Sequence, residues 1–204
     1  MEVWGITGVI GSGKSTAVAY LKTGDYPVID ADQVSRIVVD KDTEDGKEGF
    51  AKIYRAFGAS VLNNLGQLDR RALRLRMMRN PEDRQILENI LHPLIVEYIK
   101  KQMTKWKESG ADFGFIEGSR LIESGFHNML QGIVVVTAQE KHRVKRVMER
   151  DSMGRDEVIQ MFSLQDERLM KQIAKYEWKN NKDLDHLQDQ IDVFITERAD
   201  KLEG

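Results

Sequence analysis

Eight residues near the start of the chain have types and spacing that suit phosphate binding. Residues 8–15 read Gly-Val-Ile-Gly-Ser-Gly-Lys-Ser, which is the pattern G-x-x-x-x-G-K-S of a P-loop. Glycines let the backbone N–H groups of such a loop converge on a phosphate, and the lysine reaches the β- and γ-phosphates as a mobile charge. The pattern predicts ATP or a similar nucleotide as ligand, bound by Gly11, Ser12, Gly13, Lys14, Ser15 and Thr16.

The segments on either side of this pattern are those that a P-loop requires. Residues 3–7 form a short apolar run typical of a strand, and residues 16–21 read as the first turns of a helix. The beginning of that helix would add free N–H groups and the positive end of its dipole to the phosphate site. This context disfavours the alternative of a glycine-rich turn with an incidental lysine. The Ser15 hydroxyl is a predicted Mg²⁺ ligand, because this hard cation prefers oxygen.

The pattern along the whole chain predicts an α/β protein. Apolar runs at 3–7, 28–29, 113–117 and 132–137 read as strands, and helical stretches separate them. Short apolar strands that alternate with helices indicate a parallel sheet flanked by helices, here the three-layer fold of a P-loop NTPase. We expect a single P-loop domain over 1–204, with its core at about 1–40, 110–150 and 175–204, a helical insertion at about 41–109, and a helical lid at about 151–174.

Composition limits the possible partners. The 204 residues carry a formal net charge of −2 and no cysteine. No global positive field attracts nucleic acid, and disulfides, cysteine-bound zinc and thiol catalysis are excluded. No apolar run approaches the roughly 18 residues of a membrane span. We therefore expect a cytoplasmic protein without nucleic-acid or membrane partners, and a monomer or weak homo-oligomer.

Carboxylates follow two of the predicted strands. Asp30 and Asp32 come at the end of the second strand, and Glu117 ends the 113–117 strand. In an open α/β sheet, ligands bind beyond the carboxyl ends of the strands. One of the two aspartates is expected to cap the following helix, and the other to accept the proton of an attacking hydroxyl. Glu117 is a predicted Mg²⁺ site residue that would act through water.

An arginine-rich stretch at 140–176 predicts a mobile lid, because Gly154 separates two helical segments there. A small-molecule kinase needs such a lid to exclude water, together with a lobe that binds the acceptor. A regulatory GTPase is disfavoured, since the nearest match to its N-K-x-D motif, residues 181–184, has leucine at the fourth position.

Several segments resemble the dephospho-coenzyme A kinase family, in that family's order along the chain. They are Gly5–Thr16, Pro27–Asp32, Leu68–Leu73, Asn80–Pro81, Leu91–Ile95 and the lid stretch from Arg146 to Arg168. The resemblance implies transfer of the γ-phosphoryl group of ATP to the ribose 3′-hydroxyl of dephospho-CoA, with Mg²⁺. It also implies that Asp32 deprotonates that hydroxyl, that Arg146 and Arg150 close on the phosphates, and that Asn180 lies near the adenine.

Three segments leave alternatives open. Residues 117–120 read Glu-Gly-Ser-Arg, where the family usually has an Asp-Val-Pro-Leu segment on the acceptor side. A related P-loop kinase with another acceptor, such as a nucleoside monophosphate, is therefore an alternative. A catalytically inactive nucleotide-binding regulator is a third hypothesis, disfavoured because Lys14, Ser15, Asp32 and the lid arginines are all present. Trp178 either stacks on the base or fills the core, and His92 is either a packed residue or a catalyst.

Overall fold

The computed structural model describes residues 1–203, except for the side chain of Glu203. Within that range the strands form one sheet in the order β2-β3-β1-β4-β5, and the register is parallel for β1 with β3, β1 with β4 and β4 with β5. The strands are β1 (Glu2–Gly8), β2 (Val28–Asp30), β3 (Phe113–Glu117), β4 (Gly132–Thr137) and β5 (Tyr176–Lys179). The predicted parallel α/β fold is confirmed, and the first four strands lie where the apolar runs placed them.

Helices fill most of the chain between these strands. They are α1 (Lys14–Thr23), α2 (Ala31–Ile37), α3 (Glu44–Phe57), α4 (Arg70–Arg79), α5 (Pro81–Glu108), α6 (Glu140–Asp151), α7 (Arg155–Phe162), α8 (Glu167–Ile173) and α9 (Leu184–Glu203). Short 3₁₀ turns cover Gly58–Val61 and Phe126–Met129. Across the described residues, no helix combines the length and the apolar character needed to cross a membrane.

The central strand β1 positions the phosphate loop. All of its residues are buried, because β3 and β4 pair with it on either side and helices cover the sheet. Strands buried on both faces are typical of parallel sheets and read as near-continuous apolar runs, which explains why the sequence revealed them. The strand ends at Gly8, so the loop begins at the carboxyl edge of the sheet.

Strand β5 was not predicted. Its sequence, Tyr-Glu-Trp-Lys, is short and alternates in polarity, and it lies at the edge of the sheet beside β4. Trp178 is 2% exposed and meets Phe194 of α9 edge-on, with ring centroids 5.5 Å apart. Of the two hypotheses for Trp178, packing in the core is the one that the structure supports.

The chain divides into two compact units. The first comprises Met1–Ile29 and Trp106–Gly204, of which residue 204 is outside the described range, and the second comprises Asp30–Lys105. The second unit is built from helices, as the sequence predicted, with one isolated bridge between Leu62 and Leu68. His92 is exposed, which disfavours the hypothesis of a packed core residue, and the hypothesis of a catalyst stays untested. The finer division into core, insertion and lid stays a prediction.

Candidate nucleotide-binding site

The phosphate loop has the backbone that its glycines permit. Gly11 has φ of 77° and Gly13 has φ of 95°, both in the left-handed region that side chains disfavour. Helix α1 begins at Lys14, with Gly13 as its N-cap residue. The free N–H groups at this helix start therefore follow the turn directly, as the sequence predicted.

A cleft of about 360 Å³ lies against this loop. Its walls bring together every predicted phosphate-binding residue with Arg146, Arg150 and Gln165. Ser119 also lines this cleft, although the sequence associated its segment with the acceptor side. The Ser12 hydroxyl is buried and has no hydrogen-bond partner among the described residues. A phosphate oxygen would satisfy such a group, so the cleft fits a nucleotide's phosphates.

Two oppositely charged side chains face each other beside the loop. The Lys14 ammonium lies 3.8 Å from a carboxylate oxygen of Glu117, the last residue of β3. Their side chains are 19% and 14% exposed, so solvent screens this pair only partly. Ser15 and Thr16, in the first turn of α1, are exposed. Glu117 thus lies within reach of the loop, where the sequence placed a magnesium-site carboxylate.

Side chains from α6 and from the residue that follows β5 bind the carbonyl groups of the loop. The Arg146 guanidinium donates to the carbonyl oxygens of Gly11 at 3.2 Å and Ser12 at 3.4 Å, and also to Asn180. The buried Asn180 amide donates in turn to the Ser12 carbonyl at 3.0 Å. Arg146 and Asn180 are therefore close to the loop, and their donors bind protein carbonyls. Their predicted roles toward phosphate and adenine stay predictions.

Arg150 has a different environment from Arg146. Its exposed guanidinium makes two hydrogen bonds to the carboxylate of Asp151, at 2.8 and 2.7 Å. This neighbouring carboxylate raises the pKa of Arg150, and the guanidinium lowers the pKa of Asp151. Arg150 borders the cleft, and an anionic ligand would compete with Asp151 for it.

Sequence reasoning assigned no role to Arg143. This residue of α6 is 6% exposed, and its Nε donates to the carbonyl oxygen of Ile10 at 3.0 Å. The N–H group of Ile10 donates to the side-chain oxygen of Gln165 at 2.7 Å. Arg143 stands in a run of charged residues, and only its position on the buried side of α6, beside Val144 and Val147, distinguishes it from the solvated lysines nearby.

The two aspartates at the end of β2 and the start of α2 belong to the second unit and have separate environments. Asp30 is the N-cap residue of α2, and its carboxylate accepts from the N–H groups of Asp32 at 2.8 Å and Gln33 at 3.1 Å. The expectation that one of the pair caps a helix is thereby confirmed for Asp30. Asp32 is exposed in the first turn of α2, so Asp30 has a structural role while Asp32 stays the predicted base.

The fold and this cleft define a P-loop kinase. A dephospho-CoA kinase family model matches residues 2–186, and the chain belongs to that family. A relative from Hahella chejuensis, named dephospho-CoA kinase, is 35% identical over 190 residues, which are 93% of this chain and 88% of the relative. The predicted resemblance, and with it the class of phosphate-transferring enzyme, is confirmed.

Solved structures agree with this assignment. A dephospho-CoA kinase from Campylobacter jejuni superimposes with a TM-score of 0.70 at 25% identity, covering 96% of both chains. A protein from Thermus thermophilus gives a TM-score of 0.79 at 30% identity, covering 96% of this chain and 97% of the other. The similarity extends over both units of the chain, so it is not confined to the widespread P-loop motif.

Proposed function

We propose that this protein transfers the γ-phosphoryl group of ATP to the ribose 3′-hydroxyl of dephospho-CoA, which yields coenzyme A in the last step of its synthesis. The observation that carries this proposal is the family match over residues 2–186. A P-loop alone supports many functions, whereas this match includes the helical second unit as well as the nucleotide cleft. The geometry of the cleft supplies the donor half of the reaction.

The donor half rests on groups that face the cleft. The Lys14 ammonium and the helix start at Gly13 would hold the β- and γ-phosphates, and the buried Ser12 hydroxyl would donate to them. The exposed Ser15 hydroxyl would hold Mg²⁺, with Glu117 binding it through water. Bound Mg²⁺ supplies charge neutralisation on the transferring phosphoryl group. Oxygen ligands at both positions fit a hard cation of this kind.

Asp32 is the proposed base on the acceptor side. The Asp30 carboxylate caps α2, whereas Asp32 is exposed in the first turn of that helix and matches the position of the family's base. Arg146 and Arg150 are the proposed phosphate-binding arginines. Both line the cleft, and a guanidinium suits bidentate contacts with phosphate oxygens. Asn180 is proposed to lie near the adenine.

The helical second unit is the proposed acceptor-binding lobe. It contains its own cavity of about 220 Å³, lined mainly by aliphatic side chains such as Val39, Ile53 and Leu73, and bordered by Arg70 and Arg74. Partial burial, and to a lesser extent the nearby Arg36, lower the pKa of Arg70. Dephospho-CoA carries a diphosphate and a less polar pantetheine arm, which match this combination of cations and aliphatic surface.

A product assay with ATP, Mg²⁺ and a panel of acceptors tests the proposal. We expect dephospho-CoA to be phosphorylated, while pantetheine derivatives and nucleoside monophosphates give much slower turnover. The Lys14→Ala variant is the control, because it removes the phosphate-binding ammonium and should lose activity with every acceptor. Turnover of a nucleoside monophosphate alone would replace the proposal with the alternative kinase, and no turnover at all would favour a nucleotide-binding regulator.

We also propose that the enzyme works in the cytoplasm as a monomer or weak homo-oligomer. The scattered surface charge, with 31% charged residues that nearly balance, supports this state. Sedimentation at micromolar concentration tests it, and a stable dimer under those conditions would contradict it.

A further inference from the structure

We propose that Arg143 is a positioning residue for the nucleotide site, which fixes the phosphate loop at Ile10 and connects it to helices α7 and α8. Its guanidinium makes three different contacts. Nε donates to the Ile10 carbonyl, one terminal nitrogen lies 2.7 Å from the Glu167 carboxylate of α8, and the guanidinium carbon lies 4.0 Å from the centre of the Phe162 ring of α7. One buried cation thus joins the loop to two helices.

Stability alone does not explain a cation in this position. A buried guanidinium loses its hydration, and a well-packed apolar residue often stabilises such a site as well or better. Burial lowers the pKa of Arg143, and the Glu167 carboxylate only offsets part of this effect. The arginine nevertheless satisfies a specific backbone acceptor of the loop. We infer that the buried guanidinium of Arg143 serves to hold the Ile10 carbonyl, and with it the phosphate loop, in place.

Both the backbone and the side chain of Ile10 make contacts within the first unit. Arg143 binds its carbonyl, and Gln165 accepts from its N–H group at 2.7 Å. The Ile10 side chain packs with the apolar cluster of Val144, Val147 and Val158. The loop backbone between Gly8 and Gly11 therefore has little freedom to rotate while α6 and α8 stay in place.

The next loop residue is also in direct contact with α6. A Cβ atom at Gly11 would lie 2.9 Å from the Arg143 carbonyl oxygen and 3.0 Å from its Cα atom. Any displacement of α6 at Arg143 would therefore change the space available to Gly11, whose N–H group belongs to the phosphate cradle. Arg143 acts on the nucleotide through the loop and does not need to touch it.

Direct binding of ADP with Mg²⁺ tests this proposal, because it needs no phosphate acceptor. We expect Arg143→Gln to weaken ADP binding about 10-fold, which corresponds to about 1.4 kcal/mol. The KM for ATP should rise similarly, while the KM for dephospho-CoA stays within about twofold of the wild-type value. Arg143→Lys should recover part of the affinity, since an ammonium can pair with Glu167 but lacks the planar fork of donors.

Arg76 offers a matched control in the second unit. It makes the same three kinds of contact, with the Asp83 carboxylate at 2.6 Å, the Phe57 carbonyl at 3.5 Å and the Phe57 ring at 5.0 Å. Both Arg76→Gln and Arg143→Gln should lower the melting temperature, because each removes a cation that pairs with a carboxylate. Only Arg143→Gln should weaken ADP binding. If both variants weaken ADP binding equally, or if Arg143→Gln binds ADP like wild type, the proposal is wrong.

A second variant covers the case in which Arg143→Gln fails to fold. Gln165→Ala removes the acceptor of the Ile10 N–H group and leaves the Arg143–Glu167 pair intact. It should also weaken ADP binding, and unchanged affinity in that variant would contradict the proposed fixing of Ile10. The proposal rests on nucleotide binding only, so an enzyme that binds ADP but does not phosphorylate dephospho-CoA would overturn the proposed function and leave this inference standing.

Discussion

Replacing Glu117 by Gln should change nucleotide affinity in opposite directions with and without Mg²⁺. Lys14 and Glu117 lie 3.8 Å apart, and their side chains are 19% and 14% exposed. In the absence of metal, the carboxylate competes with phosphate for the Lys14 ammonium. In its presence, the same carboxylate is proposed to hold the metal through water. The neutral, nearly isosteric amide removes both effects with little change in packing.

The distance gives the scale of the first effect. Two unit charges 3.8 Å apart attract by about 4 kcal/mol at an effective dielectric constant near 20. The costs of desolvation and of side-chain entropy offset most of this attraction. The net stabilisation by a partly exposed ion pair is about 1 kcal/mol or less. Without Mg²⁺, Glu117→Gln should therefore bind ADP up to about fivefold more tightly. With Mg²⁺, loss of a group that orients metal-bound water should weaken metal affinity about 10- to 100-fold.

Calorimetric titration of ADP in EDTA and in excess Mg²⁺, with a Mg²⁺ titration of activity, separates the two effects. Glu123→Gln is the control, since Glu123 is an exposed carboxylate a few residues further along the chain. Weaker ADP binding of Glu117→Gln in EDTA would refute the competition for Lys14. An unchanged Mg²⁺ concentration for half-maximal activity would remove Glu117 from the metal site.

Three further substitutions test other parts of the molecule. Asp32→Asn should leave ADP affinity intact and lower kcat by about 10²-fold or more in steady-state kinetics, because the proposed general base is lost; unchanged turnover would exclude that role. Arg70→Ala should raise the KM for dephospho-CoA several-fold without affecting the KM for ATP, and equal changes in both would contradict the acceptor site. Hydrogen bonds from Arg198 and Trp4 lower the pKa of Glu2 in the folded protein. These bonds therefore stabilise the folded state at pH values above the pKa of Glu2 in the unfolded chain, near 4.5. This stabilisation is lost as the pH falls through the lower pKa of the folded state. Glu2→Gln should thus cost about 1–3 kcal/mol of unfolding free energy at pH 7. In denaturant titrations this difference should shrink as the pH falls through the lowered folded pKa, and a difference independent of pH would contradict it.

The sequence predicted those parts of the fold whose signals are local. The first four strands are apolar runs. The loop after β1 carries a motif whose glycines, lysine and serine each suit phosphate or metal binding. Strand β5 escaped prediction because its pairing with β4 is tertiary and its residues alternate between core and solvent. The environment of His92 stayed open in the sequence because helical periodicity alone does not show which neighbours cover each face of the long helix α5.

Within the site, sequence reasoning predicted phosphate-binding groups on one face of the phosphate loop and missed the contacts that side chains make with the other face. The inward face is the one expected to present N–H groups and the Lys14 ammonium, and a phosphate requires such donors wherever the motif occurs. The outward face presents carbonyl groups, and their partners come from distant positions such as Arg143, Arg146 and Asn180.

No spacing rule links those positions to the loop, because 130 or more residues separate each of them from its partner. Yet the outward contacts determine where the inward N–H groups point, since both belong to the same peptide planes. A substitution that leaves the motif itself unchanged can therefore still weaken nucleotide binding. Substitutions at these outward partners should appear first in the affinity for ADP, because that ligand senses the geometry of the loop before any phosphoryl transfer takes place.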